Sequence, residues 1–507
     1  TMGGVDPIIV GVGQMIHKSD DFLHPLHAMK TAVKRAADDA QCNSLIEAAD
    51  ALYVVNIFTW NYRKTPRALA ELLEINPALK EYTTIGGDTP QWLINRVADR
   101  IASGKNEVSI LAGCEVMHSV KCAQAAGKPP EGFRDSFVDI TPKGNASEGI
   151  IIGNERLGNN DVEMDHFMDM PVRIYPLIEN ALRAKEGLTI EQQLENLGKF
   201  GETFSAVAAQ NSYAWSRDTL TASQVITPSP RNRMICFPYT KLLNANMFVD
   251  QAAAIIMTTP QKARTLGIPE EKWVYIHGGQ DAHDNWYITE RQDIADSAAI
   301  NACVQDALQQ AKITLEDIRF FDFYSCFPCM PYLYRLVLGI EHTDPRPMTL
   351  TGGLPYFGGP GSNYVMHSIA EAVNRCRIEP DELGLITSNG WYCTKHSAGI
   401  YSCRKPAKRW ERTPSALFQQ RLALPQSLKI EQTPSGSFWV DSYTVWFDRQ
   451  GEPEAGLLMG RTEAGKRALA HTPEGNKDLL HAMMQAEWIG TRGKVIGQKG
   501  NINVVDF

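Results

Sequence analysis

Two long stretches of the chain carry the same features in the same order. Residues 85–113 begin with a Gly-Gly pair, continue through a helical pattern and a polar break, and end in an apolar strand at a glycine. Residues 358–390 repeat this order, and the segments before the two stretches (26–56 and 297–325) also match as helix, polar loop and strand. One internal duplication with so long a period predicts two similar α/β halves that face each other, because a repeat of this length is a folding unit and not a solenoid turn.

The glycine-rich turn of the second copy is the strongest indication of a ligand site. Residues 349–363 read TLTGGLPYFGGPGSN, and an apolar-periodic helix follows. Small residues let a ligand approach the backbone, and the first turn of a helix presents unpaired N–H groups to anionic oxygen. A tight loop without a ligand is the alternative, but the matching turn at residues 85–88 favours a site where the two turns meet.

Composition places few limits on the ligand. The chain has 507 residues, 43% hydrophobic and 21% charged, with a net charge of −8, so it has no general attraction to nucleic acid or anionic membrane. The ten cysteines are dispersed and do not suggest a disulfide framework. With no apolar run long enough for a membrane span and no recognisable signal peptide, we expect a cytoplasmic protein.

The order of helical and strand patterns divides the chain. Alternating strands and helices predict an α/β half from residues 5–118 and 230–266, interrupted by a helical excursion at 119–229. A second half spans 267–404, and a basic, proline-bounded linker occupies 405–414. Beyond it, short alternating strands with turns between them predict a small β-barrel at 415–507.

Four segments in this order resemble the thiolase superfamily. They are ILAGCEVMHS at 110–119, NANMFVDQAAAIIM at 244–257, FYSCFP at 323–328 and TGGLPYFGGPGSNY at 351–364. Together with the C-terminal barrel, they are most similar to the thiolase-like proteins of type 1 and to sterol-carrier-type thiolases. The resemblance implies a thiolase fold of five αβαβα layers, a fused barrel of the oligonucleotide-binding-fold type, and coenzyme A or an acyl-CoA as ligand.

The same resemblance shows that the usual catalytic residues are absent. The position of the nucleophilic cysteine falls on Gly87, and that of the Gly-His-Pro histidine falls on Gly359. The oxyanion-hole position falls on Tyr324, and the second cysteine falls near Asn389, with Cys393 four residues later as a poor substitute. Because such groups act as a unit, loss of all four predicts an acetyl-CoA acetyltransferase-like protein that is not a working thiolase.

Three side chains remain as candidates for catalysis. Tyr324 could act as an acid or base if its pKa were lowered, although a core tyrosine is the alternative. His367 lies one turn into the second-copy helix, where a structural histidine is the competing interpretation. His396 lies close to the lost second cysteine. Cys326 and Cys329 are too few ligands for a convincing metal site, and we expect no metal there.

The resemblance also suggests where CoA would bind. Arg231, Arg233 and Lys241 could contact the phosphates, and Asn246 falls where thiolases contact the pantetheine. Gly358 and Gly359 would allow close approach of the thioester. Thiolase relatives that use tyrosines and a barrel partner are retro-aldolases, so carbon–carbon cleavage of an acyl-CoA in lipid or steroid breakdown is one alternative. A non-catalytic acyl-CoA carrier is another. The protein could be a homodimer or a monomer, and nucleic acid is not an expected partner.

Overall fold

The structure is a computed structural model, which describes residues 6–128, 131–133 and 150–507. The strands are β1 Ile8–Ile16, β2 Ala51–Val54, β3 Leu79–Thr83, β4 Val108–Val116, β5 Ile150–Ile152, β6 Met234–Cys236, β7 Tyr239–Thr240, β8 Asp250–Thr258, β9 Val274–His283, β10 Ile318–Asp322, β11 Leu383–Gly390, β12 Lys395–Ser402, β13 Ser437–Phe447, β14 Pro453–Thr462, β15 Arg467–His471, β16 Arg492–Lys499 and β17 Ile502–Asp506. The α-helices are α1 Pro25–Asp39, α2 Thr65–Leu72, α3 Thr89–Ala102, α4 Met117–Ala125, α5 Asp161–Asp165, α6 Pro171–Lys185, α7 Ile190–Gln210, α8 Ala222–Ile226, α9 Pro260–Thr265, α10 Ala298–Ala311, α11 Cys329–Leu338, α12 Gly353–Tyr356, α13 Tyr364–Ile378, α14 Ser415–Arg421 and α15 Lys477–Met483. Among these described helices, none is long and apolar enough to cross a membrane.

Two similar sheets form the body of the molecule, as the duplication predicts. The first has the order β3-β2-β4-β8-β1 and the second β10-β11-β12-β9, and a short β1–β9 pairing joins them edge to edge. In each sheet the last strands are antiparallel while the first are parallel. The chain at Pro347 and Met348 accepts hydrogen bonds from β10 amides, which is the place that β3 takes in the first sheet.

The helices confirm the five-layer arrangement. Helices α3 and α13 contact each other between the sheets, while α1 packs on the outer face of the first sheet. Two adjacent glycines of β9 point to opposite faces of the second sheet, and each lies against a helix. A Cβ on Gly278 would lie 2.2 Å from the Ala307 carbonyl oxygen of α10, and one on Gly279 would lie 2.2 Å from Asn95 Oδ1 of α3. Both glycines therefore allow a helix to approach the sheet closely.

The C-terminal strands form a closed five-stranded barrel in the order β14-β15-β17-β16-β13, closed by the β13–β14 pairing. The hairpin β6–β7 extends this barrel sheet at β13, through the pair Cys236 and Trp446. The sequence assigned residues 230–266 to the first half, so the position of this hairpin differs from that expectation. The reason is local: the Phe237 amide donates to the Val445 carbonyl, and the Phe237 ring packs in the barrel core.

The linker at residues 405–414 is anchored to the body of the fold. The indole of Trp410 donates to Asp99 Oδ1 of α3 at 2.8 Å. The Arg412 guanidinium, almost completely buried, is paired with Asp99 at 2.8 Å and with Asp281 at 2.5 Å. A buried cation with two carboxylate partners fixes this end of the linker in place, while Lys405, Lys408 and Arg409 stay exposed.

Candidate functional site

The two glycine turns meet, as the duplication predicts. The amide of Gly86, just before α3, donates to Ser362 Oγ in the second turn at 3.1 Å. A Cβ built on Gly87 would lie 2.2 Å from Tyr324 Oη and 2.5 Å from the Asn389 carbonyl oxygen. Three positions that the thiolase resemblance singled out are therefore in contact. The volume that a nucleophilic side chain at residue 87 would need is occupied by the phenol of Tyr324.

Tyr324 follows the end of β10 and is held on several sides. Its backbone amide donates to Thr387 Oγ1 of β11 at 3.2 Å, and its ring meets Tyr364 edge to face at 5.9 Å. Burial raises the pKa of Tyr324 well above its ordinary value, with further increases from nearby Cys326 and other ionisable groups. A base would need a lowered pKa, but in this environment the phenol stays protonated, so it can donate a hydrogen bond or a proton and cannot act as a base.

A second tyrosine, which the sequence analysis did not identify, completes this cluster. The Asn389 side-chain amide donates to Tyr175 Oη at 2.7 Å, and Tyr175 Oη donates to the Trp391 carbonyl at 2.7 Å. Tyr175 comes from α6 of the helical excursion, so no local motif connects it with β11. Asn389 Oδ1 is buried and has no hydrogen-bond partner within the described residues. This oxygen is thus available to a ligand donor.

Cys326 contacts Asn389, the residue near the expected position of the second thiolase cysteine. Its Sγ lies 4.0 Å from Asn389 Nδ2. Burial raises the pKa of the Cys326 thiol well above its ordinary value. Hydrogen bonds from Tyr175 and Asn389 lower this pKa, but by less than burial raises it. Since the thiolate is the nucleophilic form, Cys326 is a poor replacement for a catalytic cysteine.

His396, on β12, forms a buried ion pair beside Cys393. Its Nε2 lies 3.4 Å from Asp284 Oδ2 and 3.9 Å from Cys393 Sγ. Burial lowers the pKa of His396, but hydrogen bonding to Asp284 and the neighbouring thiol outweigh it and raise the pKa to about 9. The imidazole is therefore protonated at neutral pH. In this state it can donate a proton or a hydrogen bond but cannot accept one as a base.

This ion pair predicts a pH dependence of stability. Because the pKa of His396 is raised from 6.5 to about 9 on folding, its stabilising contribution is complete below pH 6.5 and is lost as the pH rises to about 9. We expect the free energy of unfolding to fall by on the order of 3 kcal/mol across this range. Urea unfolding at several pH values measures the loss, which should largely disappear in His396→Gln. An unchanged slope in that variant would contradict the assignment.

His367 lies in a different network, between the two halves. Its Nδ1 is 2.7 Å from Gln14 Oε1, and Gln14 Nε2 donates to Glu371 Oε1 at 2.8 Å. Burial lowers the pKa of His367 to about 3, so the ring is neutral at pH 7. None of its described contacts reaches Tyr324. Its contacts are those of an inter-half core residue, and a catalytic role for it stays a prediction.

The residues expected at the pantetheine and thioester lie together. The Gly359 amide donates to the Asn246 carbonyl at 2.8 Å, and the Asn246 amide donates to the Leu354 carbonyl at 3.1 Å. Gly358 has φ +117°, which strongly favours glycine. A Cβ on nearby Gly353 would lie 2.9 Å from Ser325 Oγ, next to Tyr324. Contacts thus run without interruption from Asn246 to the segment after β10 that carries Tyr324.

The expected phosphate-binding residues lie where the barrel approaches the first half. Arg233, half-buried, donates to the Asp448 carbonyl of the barrel at 3.3 Å, and its own carbonyl accepts from the amide of exposed Lys241 at 2.9 Å. Arg231 is also exposed. Two cations that the sequence analysis missed, Lys121 and Arg449, belong to the same region. Burial and the charge of Arg449 lower the pKa of Lys121, and Lys121 Nζ lies 3.2 Å from the centroid of the exposed Phe248 ring.

A cavity of about 430 Å³ adjoins the first turn of α3 and the start of β12. Its walls include Asp88, Lys395, His396, Trp92 and Trp286. Lys395 Nζ is 3.2 Å from Asp88 Oδ1 and donates to the Ile85 carbonyl at 2.7 Å. The lysine charge is therefore already neutralised by its own chain, and the ion pair stabilises the turn that precedes α3.

Comparison with known proteins agrees with this architecture. The family model described as the thiolase-like protein type 1 additional C-terminal domain matches residues 418–499. A monomeric SCP2-thiolase-like protein type 1 from Mycobacterium smegmatis has a similar structure, with 30% sequence identity, 99% of each chain covered and a TM-score of 0.83. The chain belongs to the thiolase-like proteins of type 1. The additional barrel is thus a feature that this thiolase-like protein shares with its relative.

More distant structures show the shared fold alone. Human mitochondrial 3-ketoacyl-CoA thiolase is 13% identical, with a TM-score of 0.55 over 78% of this chain and 99% of that one. The same human enzyme in complex with CoA is 12% identical, with a TM-score of 0.55 over 78% and 98% of the two chains. The Ltp2-ChsH2(DUF35) aldolase is 17% identical, with a TM-score of 0.59 over 80% and 100%.

Proposed function

We propose that this thiolase-like protein binds an acyl-CoA between its two glycine turns and does not form a cysteine acyl-enzyme. The contact of Tyr324 Oη with the Gly87 position carries the proposal, because it places a neutral phenol where a thiolase needs its nucleophile. A donor there can bind the thioester carbonyl or deliver a proton to an enolate, but it cannot carry an acyl group from CoA as a thiolate does. The human thiolase that was solved with CoA supports the choice of ligand.

The cationic residues near the barrel give this ligand an orientation. CoA carries phosphates that need positive partners. Arg233 contacts Asp448 of the barrel and lies beside Lys241, while Lys121 lies over the exposed ring of Phe248 and close enough to Arg449 for its pKa to be lowered. Contacts from Asn246 to Gly359 continue inward to the segment that carries Tyr324, just after β10. The nucleotide would therefore lie beside the barrel, with the thioester at the two turns.

This orientation predicts that Lys121→Ala and Arg449→Ala each weaken CoA binding by about tenfold, since each removes one charge-assisted contact to phosphate. Isothermal titration with CoA measures the change. Titration with 3′-dephospho-CoA shows whether the lost contact is to the 3′-phosphate. Lys34→Ala is the matched control, because it removes an exposed lysine from the outer helix α1. Equal affinities for all three variants and the parent would contradict the orientation.

Carbon–carbon cleavage is a second candidate, which the pairing of two tyrosines at the site favours. In a retro-aldol reaction of a 3-hydroxyacyl-CoA, the Cα–Cβ bond breaks, Cβ becomes a carbonyl and Cα becomes an enolate. Tyr324 would protonate Cα, and the proton that leaves the 3-hydroxyl would replace the one that Tyr324 gives up. The Ltp2-ChsH2(DUF35) aldolase shares the fold. In this chain the C-terminal barrel is fused to the thiolase fold, so the two lie in one molecule.

The edge of the first sheet is consistent with a monomeric protein. Strand β3 would otherwise be an open edge, but the three-residue strand β5 from the chain's own excursion pairs with it at Glu81, Tyr82 and Thr83. Covering an edge in this way removes a surface for pairing with a second copy. The relative from Mycobacterium smegmatis is described as monomeric. We propose the same state for this protein.

Product analysis separates the two candidates. The purified protein is incubated with a long-chain 3-hydroxyacyl-CoA, and the mixture is analysed by mass spectrometry. A shortened acyl-CoA with an aldehyde or ketone would establish the lyase. Binding of the substrate without any product would support the non-catalytic acyl-CoA carrier. Thiolytic products formed with free CoA would contradict the proposal that no acyl-enzyme forms.

A further inference from the structure

A cluster of three different metal-ligating side chains lies on the surface of the first half, near α4. His118 and Cys122 are four residues apart on this helix and therefore share one face, and Asp20 approaches from the segment before α1. Cys122 Sγ is 3.8 Å from His118 Nε2 and 3.7 Å from Asp20 Oδ1, and His118 Nε2 is 3.8 Å from Asp20 Oδ1. Three donor atoms thus form a nearly equilateral triangle.

We propose that Asp20, His118 and Cys122 bind a zinc ion with one open coordination position. Typical zinc bonds to sulfur, nitrogen and oxygen in tetrahedral geometry place pairs of donor atoms about 3.3–3.6 Å apart. The triangle needs to contract by only a few tenths of an ångström to reach that size. Thiolate and imidazole together favour zinc over magnesium or calcium, which prefer oxygen ligands alone.

Charge around the cluster supports a cation. The Asp20 carboxylate lies 3.7 Å from Cys122 Sγ, and the buried Asp250 carboxylate accepts from the amide and hydroxyl of Ser119, the residue after His118. Carboxylates in these positions attract a divalent ion, and the Cys122 thiol would lose its proton when the ion binds. With Cys122 as thiolate and Asp20 ionised, a zinc ion would bring the site to zero net charge. The buried Asp250 is already occupied by Ser119 and His17 and stays in place behind the ligands.

The cluster lies at the surface, and the His118 side chain is 22% exposed. The Trp215 ring lies 5.1 Å from the His118 ring and forms a wall beside it. Asp20 is 92% exposed, so this carboxylate is free to close on an ion without disturbing the core. The site would attach the segment between β1 and α1 to α4. It is separate from Tyr324 and does not depend on the proposed acyl-CoA function.

Zinc binding to the full chain tests the proposal. The protein is treated with a chelator, dialysed and titrated with zinc against a chromophoric competitor. We expect one tight zinc per chain, with affinity reduced at least about tenfold in Cys122→Ser and in Asp20→Asn. Cobalt should give a thiolate charge-transfer band that is lost in Cys122→Ser. Cys403→Ser, which changes another partly exposed cysteine, should keep both signals.

Loss of zinc binding is distinguished from loss of folding by the thermal unfolding midpoint of each metal-free variant. Asp20 is exposed, so Asp20→Asn should unfold at the same temperature as the parent. Zinc should raise the midpoint of the parent and of Cys403→Ser, and not that of Cys122→Ser. Absence of stoichiometric binding would overturn the proposal. So would affinity and a cobalt band that are unaffected by Cys122→Ser.

Discussion

Placing a cysteine at residue 87, where thiolases have their nucleophile, is expected to destabilise this protein and not to create a thiolase. In Gly87→Cys the new Cβ would lie 2.2 Å from Tyr324 Oη and 2.5 Å from the Asn389 carbonyl oxygen, closer than real atoms approach. The second contact is with backbone of a central strand, which cannot rotate away. Overpacking typically costs about 1–3 kcal/mol, and we expect at least the upper value here.

A double-mutant cycle shows whether Tyr324 is the cause. The cost of Gly87→Ala, measured by urea unfolding, should be smaller by about 1 kcal/mol or more in a Tyr324→Ala background than in the parent. Gly104→Ala is the control, because its Cβ meets open space and only the positive φ of +70° is strained, at about 1–2 kcal/mol. A stable Gly87→Cys protein that becomes acylated by acetyl-CoA would refute this reading of the site.

Removing the Tyr324 hydroxyl is expected to have the largest effect on any turnover. If a 3-hydroxyacyl-CoA is cleaved, Tyr324→Phe should lower the rate by about 10²–10⁴-fold, the usual contribution of a positioned general acid. CoA affinity should change by no more than about twofold, because the loss is specific to the reacting atoms. Formation of the shortened acyl-CoA, followed by chromatography and mass spectrometry, gives the rate.

Tyr332→Phe is the matched control for that variant. The Tyr332 hydroxyl donates to the Asn196 carbonyl at 2.8 Å, on helix α7 of the excursion, so this change also removes a tyrosine hydroxyl bond. It should leave turnover near that of the parent. If Tyr324→Phe and Tyr332→Phe have the same rate, then Tyr324 is a core residue and the acid role is wrong.

The sequence predicted the architecture well because the duplication is a global pattern. The buried helices and the barrel strands have hydrophobic periodicities that can be read along the chain. Local signals mark their ends, such as the capping box at Thr189 that begins α7. Residues 230–266 were expected in the first half, but the hairpin β6–β7 within them pairs with β13 of the barrel, because a short apolar strand does not specify its partner. Phe237 packs into the barrel core, which only the tertiary structure shows.

The candidate site was predictable only in part. Gly87, Tyr324 and Asn389 could be placed together because they occupy known positions of a shared fold. Tyr175 could not, because α6 reaches the site through packing across more than 200 residues of sequence separation. Protonation states were also inaccessible: burial raises the pKa of Tyr324, and the Asp284 partner raises that of His396. Lys121 and Arg449 approach each other only because the barrel folds back on the first half.

The most direct test of the central claim is the thermal unfolding midpoint with CoA, acetyl-CoA and a long 3-hydroxyacyl-CoA, with the intact mass of the protein recorded from the same samples. A ligand at 100 times its dissociation constant should add about 2.7 kcal/mol to the stability of the folded state. We predict stabilisation by at least one of these ligands and an unchanged protein mass. Stabilisation by none of them, or a protein that gains an acyl group, would contradict an acyl-CoA site in which a tyrosine occupies the place of the nucleophile.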